Sequence, residues 1–564
     1  MLLTISSFIF FTALVAIISW YFTKDENLES NTGYFLGGRS LSGIVIAGSL
    51  ILTNLSTEQL VGMNGNAFRG GLSVIGYEVT SGITLIFMGL YFLPKYLKSG
   101  FTTVPQFLEE RYDKGTRNLV AILFLIGLGV ISLPIILYSG GIAMNALFDV
   151  AKIFNVSDDA ALIISIWGIG IVGGIYAIFG GLKAVAVSDT INGIGLVIGG
   201  LLIPYLGFKL LGNGSILNGV EILVINCPTK LNAIGSATDP VPFSTLFTGI
   251  VLINTFYWCT NQVIVQRAFG AKNLAEGQKG VIYAGLTKIF VPIILAIPGV
   301  IAFQLYGSEI TKPDFAYPIL VNKVLPTYLV GFFGAVLFGA ILSSFNSSLN
   351  SASTIFCLDI FKPLFAPNIE DKKLVQIGKI FGTILGLVSI FIAPYIANAP
   401  NGLFEFMKKF MGFFNVPTLV IVLVGFFSKK IPPIAAKVAI FVFMALYGTF
   451  QFVYKINISF LHLLGGLFVL CVCIMVIIGY IAPMKTPYVQ QDKKEVSLVE
   501  WKYAKPICGV IVTTTIYVYT LLSPLGLVRL KENIGGKFMT LTVIYIVSSI
   551  ILFFVIQAMN KKKD

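Results

Sequence analysis

The stretch Gly48-Ser49-Leu50-Ile51-Leu52-Thr53-Asn54-Leu55-Ser56-Thr57-Glu58-Gln59-Leu60-Val61-Gly62-Met63 decides the fold. It runs apolar, then polar from Thr53 to Gln59, then apolar again. In hydrocarbon a backbone polar group without a partner costs several kcal/mol, so irregular backbone survives at membrane depth only where it lines a protein cavity. The pattern therefore predicts a discontinuous helix with its unwound segment facing a cavity. The competing reading, a helix that enters the interface at Asn54, would leave Leu60 to Met63 exposed. It would also duplicate the loop already available at Asn64 to Gly71.

The surrounding chain supplies the membrane. Of its 564 residues 56% are hydrophobic and 12% charged, against about a quarter charged in soluble domains. Apolar runs recur almost end to end, each near the roughly 20 residues that a helix needs to cross a bilayer. Barrel strands would alternate apolar and polar residues, but Val291 to Phe303 is almost continuously apolar. The fold class is thus an all-α polytopic membrane protein of about 14–15 transmembrane helices. The spans are expected to begin near residues 2, 41, 72, 118, 157, 184, 245, 280, 326, 376, 402, 433, 457, 506 and 538. The first carries no basic leader and no small-residue cleavage site before Lys24, so it reads as a retained helix rather than a signal peptide.

Charge sets orientation. With the N-terminus outside, most of the 39 Lys and Arg fall in cytoplasmic loops, among them Lys95, Lys98, Arg111, Lys114 and Arg117 in one loop and Lys561 to Lys563 in the tail. The net charge of +13 then follows from topology at a bilayer surface. A nucleic-acid partner would need those charges gathered on one face, which short dispersed loops do not provide. The longest loops, about Leu211 to Phe243 and Met484 to Lys505, leave no room for a soluble catalytic domain. The single histidine, His462, and six cysteines without a CxxC pair remove zinc, haem and iron–sulfur readings.

Polar groups inside other spans mark functional candidates, because each is costly there. Glu78 and Ser81 share a helix face at i and i+3. A second polar interruption runs from Asn254 through Thr255, Tyr257 and Thr260 to Asn261 and Gln262. Lys288 lies about two turns into its helix, four residues before Pro292. The ninth span contains Ser343-Ser344-Phe345-Asn346-Ser347-Ser348, and hydroxyl and carbonyl oxygens are the hard ligands that a small cation needs when it sheds water. Asp189, near the start of the sixth span, reads equally as an interfacial acid or a step on an ion path.

Interrupted spans two and seven are five apart, which implies two five-helix repeats of inverted topology, each opening on a broken helix. That architecture is a secondary transporter with solute and ion sites between the repeats. An ion channel would need a repeated pore ring, and no filter sequence of the TVGYG kind occurs. A membrane enzyme lacks the necessary His, Cys and acid clusters.

The chain resembles the sodium/solute symporter family, and within it the bacterial sodium–sugar symporters related to the sodium–glucose cotransporters. The resemblance covers roughly residues 30 to 480. It rests on Gly33-Tyr34-Phe35-Leu36-Gly37-Gly38-Arg39-Ser40, Ser49 to Gly62, Val104-Pro105-Gln106-Phe107-Leu108-Glu109-Glu110-Arg111-Tyr112 and Tyr176 to Gly181 with Asp189. It continues through Gln266-Arg267 to Gln278-Lys279-Gly280 and Leu349-Asn350-Ser351-Ala352-Ser353-Thr354 to Asp359-Ile360. It implies a LeuT-type fold, with residues 39–427 as the ten-helix core, 1–38 as an extra helix and cytoplasmic loop, and 428–564 as further helices and tail.

Residue by residue, the resemblance places sugar binding at Asn54, Gln59, Glu78, Ser81, Asn254 and Lys288. It places an aromatic gate at Tyr257 and an outer hydrophobic gate at Met63, Tyr77 and Phe404. Lys408, followed by Lys409, departs from the glutamine of the sugar transporters; a cation there can pair with Glu78 or select an acidic sugar. The resemblance also implies a sodium site from the carbonyls of Leu52, Leu55 and Ala340 and the hydroxyls of Ser343 and Ser344. A second sodium would fall at Asp189, Asn346 and Ser347. The expectation is sodium-driven symport of a hexose or related sugar in the cell membrane by a monomer, with no enzyme chemistry. An acidic sugar, another small organic solute or a sodium-independent facilitator of the same fold are the alternatives.

Overall fold

The computed structural model describes residues 2–24, 28–398, 403–454, 458–528, 530 and 532–561, without the side chains of 2–3, 176–180, 397–398, 403–406 and 561. Twelve helices among the described residues are long and apolar enough to cross a membrane. They are α1 (Leu2–Thr23), α4 (Leu72–Ser99), α5 (Lys114–Phe148), α6 (Asp158–Ile175), α7 (Gly181–Leu211), α12 (Thr327–Phe365), α13 (Asp371–Ile396), α14 (Leu403–Phe427), α15 (Pro433–Val453), α16 (Phe460–Ile481), α17 (Ala504–Leu521) and α18 (Ile534–Lys561). Two further spans are bent pairs: α2 (Gly43–Asn54) with α3 (Thr57–Gly70) at 56°, and α10 (Leu274–Phe290) with α11 (Pro292–Tyr306) at 43°. The short helices α8 (Gly249–Cys259) and α9 (Gln262–Phe269) form the seventh span, broken between them.

Both breaks read from the sequence are therefore present. The bend at Val291 to Pro292 is additional, and proline causes it: without an N–H and with its ring against the preceding turn, Pro292 cannot continue α10. Helices α6 and α7 are continuous in hydrogen bonding but kinked at Gly181, where φ is +64°. A Cβ there would be strained by conformation and would also meet the Tyr34 carbonyl at 3.2 Å.

The centre is built from α2, α7, α10 and α12. α2 packs on α7 and α10, α7 on α12, and α4 on both α8 and α10. Around it α1 lies against α12 and α7, and α17 pairs with α18 at the periphery. The outward faces of α1 and α18 are apolar and exposed, with Trp20, Phe22, Ile551 and Phe554 among them. A polypeptide in water would bury such faces. In a bilayer they meet lipid.

Charged residues on one side of the bundle fasten helix ends. Arg111 is buried and donates to three carbonyls at and just beyond the end of α14: Gly425 at 3.0 Å, Ser428 at 2.7 Å and Ile431 at 3.2 Å. The long connection after α16 is an extended strap without regular structure. Its Tyr488 hydroxyl donates to Glu110 (2.9 Å), Gln490 donates to the Lys95 carbonyl (2.6 Å), Glu495 pairs with Arg39 (2.6 Å), and the Trp501 amide donates to Gln278 (2.8 Å). All six cysteines are free.

Replacing Arg111 tests this fastening. Arg111→Ala leaves three carbonyls without their donor, at about 1–3 kcal/mol for each that stays dry, and the detergent-purified protein is expected to melt several degrees lower. Arg111→Lys recovers only part, because a point ammonium cannot span the three acceptors that the guanidinium fork reaches.

Candidate functional site

Helix α2 ends at Asn54 because Leu55 (φ −78°, ψ 59°) and Ser56 (φ −83°, ψ 172°) leave helical geometry before α3 restarts at Thr57. The Ser56 carbonyl accepts from the amides of Gln59 and Leu60, and no backbone amide crosses the break to the carbonyls of Leu52 or Leu55. These are the orphan acceptors that any helix end leaves. The Thr53 carbonyl between them faces α12, where it accepts from the Ser344 hydroxyl at 3.3 Å. The Ser343 hydroxyl, one residue earlier, is buried without a hydrogen-bond partner. Ala340 is fully buried one turn before Ser344 on the same helix. The Thr53 carbonyl at the break and the two adjacent hydroxyls of α12 are oxygen donors, the type of group that suits sodium.

On the far side of Ser49 lies a buried ion pair. Asp189 and Arg267 are both 0% exposed and meet at 3.5 Å. Ser49 donates to Asp189 (2.7 Å), Arg267 Nε donates to Ser49 (2.7 Å), and a second guanidinium nitrogen donates to the Ser347 hydroxyl. Asp189 thus sits two turns inside α7 rather than at an interface, and the fold uses it to join α2, α7, α9 and α12. Of the residues considered for a second sodium, Ser347 is engaged by Arg267, whereas Asp189 Oδ1 and Asn346 Oδ1 accept no hydrogen bond.

The residues read as sugar ligands come together next to the break. Lys288, fully buried on α10, donates to both Glu78 on α4 and Asn54 at the end of α2, and its ammonium lies 5.7 Å from the Trp258 ring. Asn254 on α8 donates to the Tyr77 carbonyl at 2.8 Å, and Ser81 donates to the same carbonyl at 2.8 Å. Asn54 and Gln59 also line a cavity of about 80 Å³, together with Tyr257, Lys408 and Ser344. This volume holds a few waters, so the lining side chains must part to admit anything larger. Glu78, Ser81, Asn254 and Lys288 lie behind Asn54 in a cluster that satisfies itself.

Of the gate residues, Tyr257 lines the cavity. Tyr77 is buried beneath Lys408, whose Nζ is 5.5 Å from its ring centre. Met63 is fully buried in the core. The Phe404 side chain lies outside the described residues. Sequence reasoning passed over Glu58 and Asn415, which line the cavity with Glu58 Oε2 and Asn415 Oδ1 unpartnered. Glu58 was legible by the rule that an ionisable group inside a span is a candidate. Asn415 gave no signal beyond being an amide in an apolar helix.

Known proteins resemble this chain in sequence and in fold. The profile of the sodium:solute symporter family matches residues 34–442. An uncharacterized symporter of Escherichia coli (strain K12) is 47% identical over 562 residues, covering 100% of this chain and 97% of that protein. The sodium/glucose cotransporter of Vibrio parahaemolyticus is 31% identical over 447 residues, covering 75% of this chain and 80% of that protein. Among solved structures, the substrate-bound outward-open state of a Na+-coupled sialic acid symporter superposes with a TM-score of 0.73 at 20% identity, covering 86% of this chain and 99% of that one. Mhp1, a nucleobase-cation-symport-1 family transporter, gives 0.54 at 13% identity, covering 82% and 98%. The fold is the LeuT-type arrangement.

The Lys288–Glu78 contact yields a stability test. Lys288→Met strands a buried carboxylate, a loss of about 3–5 kcal/mol for pairs of this kind, whereas removing both charges restores much of it. In sodium without solute, Lys288→Met is expected to melt well below the Lys288→Met/Glu78→Gln double variant. Equal melting of the two would show that the pair is not buried as a unit.

Proposed function

The chain belongs to the sodium:solute symporter family, and from that premise we propose that it carries a hexose or a close derivative into the cell by alternating access, driven by sodium. It is a multi-pass membrane transporter and not an enzyme, and sodium is its co-transported ion. The sugar assignment rests on one observation above others: carboxylate, amide and ammonium groups from α2, α3, α4, α8 and α10 converge beside the unwound segment of α2 and α3. Carboxylate and amide oxygens accept from sugar hydroxyls, and amide and ammonium groups donate to them. The half-buried Tyr257 ring at the cavity offers a face for the C–H side of a pyranose.

In this reading sodium occupies the carbonyls of Leu52, Leu55 and Ala340 and the hydroxyls of Ser343 and Ser344, and a second ion, where one binds, falls at Asp189 and Asn346. Solute engages Asn54, Gln59, Glu78, Ser81, Asn254 and Lys288 once Lys288 rearranges. Residues 39–427 form the moving core with its two inverted repeats, the N-terminus lies outside the cell membrane, and one chain suffices for transport. Because both ligands use the same unwound segment, each raises the other's affinity by the same factor. A sugar acid is the second reading, favoured by the ammonium of Lys408 at the cavity wall.

Uptake into proteoliposomes under a sodium, a potassium or a proton gradient tests the coupling, and hexose accumulation is expected with sodium alone. Equal uptake under all three would sink the proposal. Two substitutions then separate the sites. Ser344→Ala removes one oxygen from the ion's shell, so half-saturating sodium should rise sharply while sugar affinity at saturating sodium changes little. Gln59→Ala leaves sugar hydroxyls unpaired at roughly 1–3 kcal/mol, or one to two decades in affinity, with sodium dependence nearly intact. An unchanged sodium dependence in Ser344→Ala would make the hydroxyls of α12 packing contacts only.

A further inference from the structure

The cavity beside the break holds acceptors in excess. Glu58 Oε2, Gln59 Oε1 and Asn415 Oδ1 are buried, line it and accept no hydrogen bond. They come from two elements, Glu58 and Gln59 from the first turn of α3 and Asn415 from the middle of α14. Buried acceptors without donors are uncommon in native proteins and call for an explanation. The nearby donors are already committed: Lys288 is held by Glu78 and Asn54, the Ser56 hydroxyl serves the Glu58 carboxylate but leaves Oε2 without a donor, and Lys408 sits in the field of Glu78 and Glu58. What is missing is a molecule that brings O–H or N–H groups.

Charge narrows the choice. Glu58, Glu78, Lys288 and Lys408 are two acids and two bases, so their formal charges cancel before solute enters. A neutral polyol keeps that balance and supplies a donor to each orphan acceptor. A sugar acid brings a carboxylate that can only accept, placed in a low-dielectric space that the Glu58 carboxylate already lines, with Glu78 held behind Asn54. Lys408 cannot serve it freely, because drawing the ammonium to the ligand withdraws it from Glu58 and Glu78.

We propose that Glu58 and Asn415 are specificity-determining residues that receive hydroxyl protons of a neutral sugar, and that the Glu58 carboxylate excludes sugar acids. This rests on the hexose reading above and deepens it: the lysine at the cavity wall balances two acids and does not mark an anionic substrate. An amino sugar, whose ammonium is a further donor, falls on the accepted side.

Thermal shift of the purified full-length protein in saturating sodium, titrated with D-glucose, D-galactose, D-galactosamine, D-glucuronate and D-galacturonate, tests it, since stabilisation follows ligand concentration over Kd. For the wild type, at least one hexose should bind tenfold or more tightly than either uronate. Glu58→Gln should lower hexose affinity and raise uronate affinity, shrinking that ratio at least tenfold. Asn415→Ala should weaken hexose binding about tenfold, and Asn415→Asp, which keeps an acceptor but adds charge, should weaken the uronates further than the hexoses. This last variant carries the test if Glu58→Gln does not fold. Uronate binding equal to or tighter than hexose binding in the wild type, or a ratio that Glu58→Gln and Asn415→Asp leave unchanged, overturns the specificity assignment and leaves the sugar reading standing. Sodium-dependent shifts with none of the five sugars overturn the sugar reading itself, and the assignment with it.

Discussion

The structure depends on two residues that refuse to be helical. Leu55 and Ser56 interrupt a span that would otherwise be an ordinary apolar helix, and their dihedral angles expose carbonyls on one side and restart a helix N-terminus on the other. Such a break is affordable in a membrane only if neighbouring elements supply partners. Here α12 contributes Ser344 to the Thr53 carbonyl, α10 contributes Lys288 to Asn54, and α7 contributes Asp189 to Ser49 and Thr53. The central packing of α2 against α7, α10 and α12 thereby also completes its hydrogen bonding.

The Asp189–Arg267 pair extends the same logic. A buried ion pair is weak evidence for stability, since desolvation offsets most of its attraction. Its geometry nevertheless constrains assembly: Arg267 reaches Asp189, Ser49, Ser347 and the Val263 carbonyl at once, so α2, α7, α9 and α12 have one arrangement that satisfies all of them. A guanidinium can do this because its five donors are fixed in a plane, which an ammonium cannot match. The seventh span ends in this pair, and the same guanidinium donates to Ser49 of the second span, so the two broken spans are joined by a charge-assisted hydrogen bond.

Much of this was legible because membranes make sequence patterns severe. Apolar length gave the spans, and the polar runs at Thr53 to Gln59 and Asn254 to Gln262 gave both breaks, since polar backbone and side chains have few excuses in hydrocarbon. The bend at Pro292 was missed although the residue was in view, because proline is tolerated in membrane helices and does not always break them. Asp189 could not be placed from position alone, because its environment depends on Arg267, 78 residues away in sequence. Glu58 was hidden in plain sight as one of six polar residues in a run of seven. Asn415 was invisible, because what singles it out is an unpartnered oxygen facing a cavity, and cavities belong to tertiary structure.

The closeness of the two candidate sites follows from the same break and explains why coupling needs no long pathway. The carbonyls read as sodium ligands belong to Leu52 and Leu55, and the side chain held by Lys288 belongs to Asn54, between them. If sodium fixes the carbonyl directions at Leu52 and Leu55, the peptide planes 52–53 and 55–56 that bracket Asn54 are held, and the short backbone between them has fewer ways to place its amide oxygen. Lys288 is the balancing partner: as long as it donates to Asn54 and Glu78, those two acceptors are unavailable to a sugar. An ion that orients Asn54 for solute and a solute that replaces the ammonium at Asn54 act on one segment of backbone. That is sufficient for reciprocal coupling, because each ligand need only favour the same arrangement of residues 52 to 59.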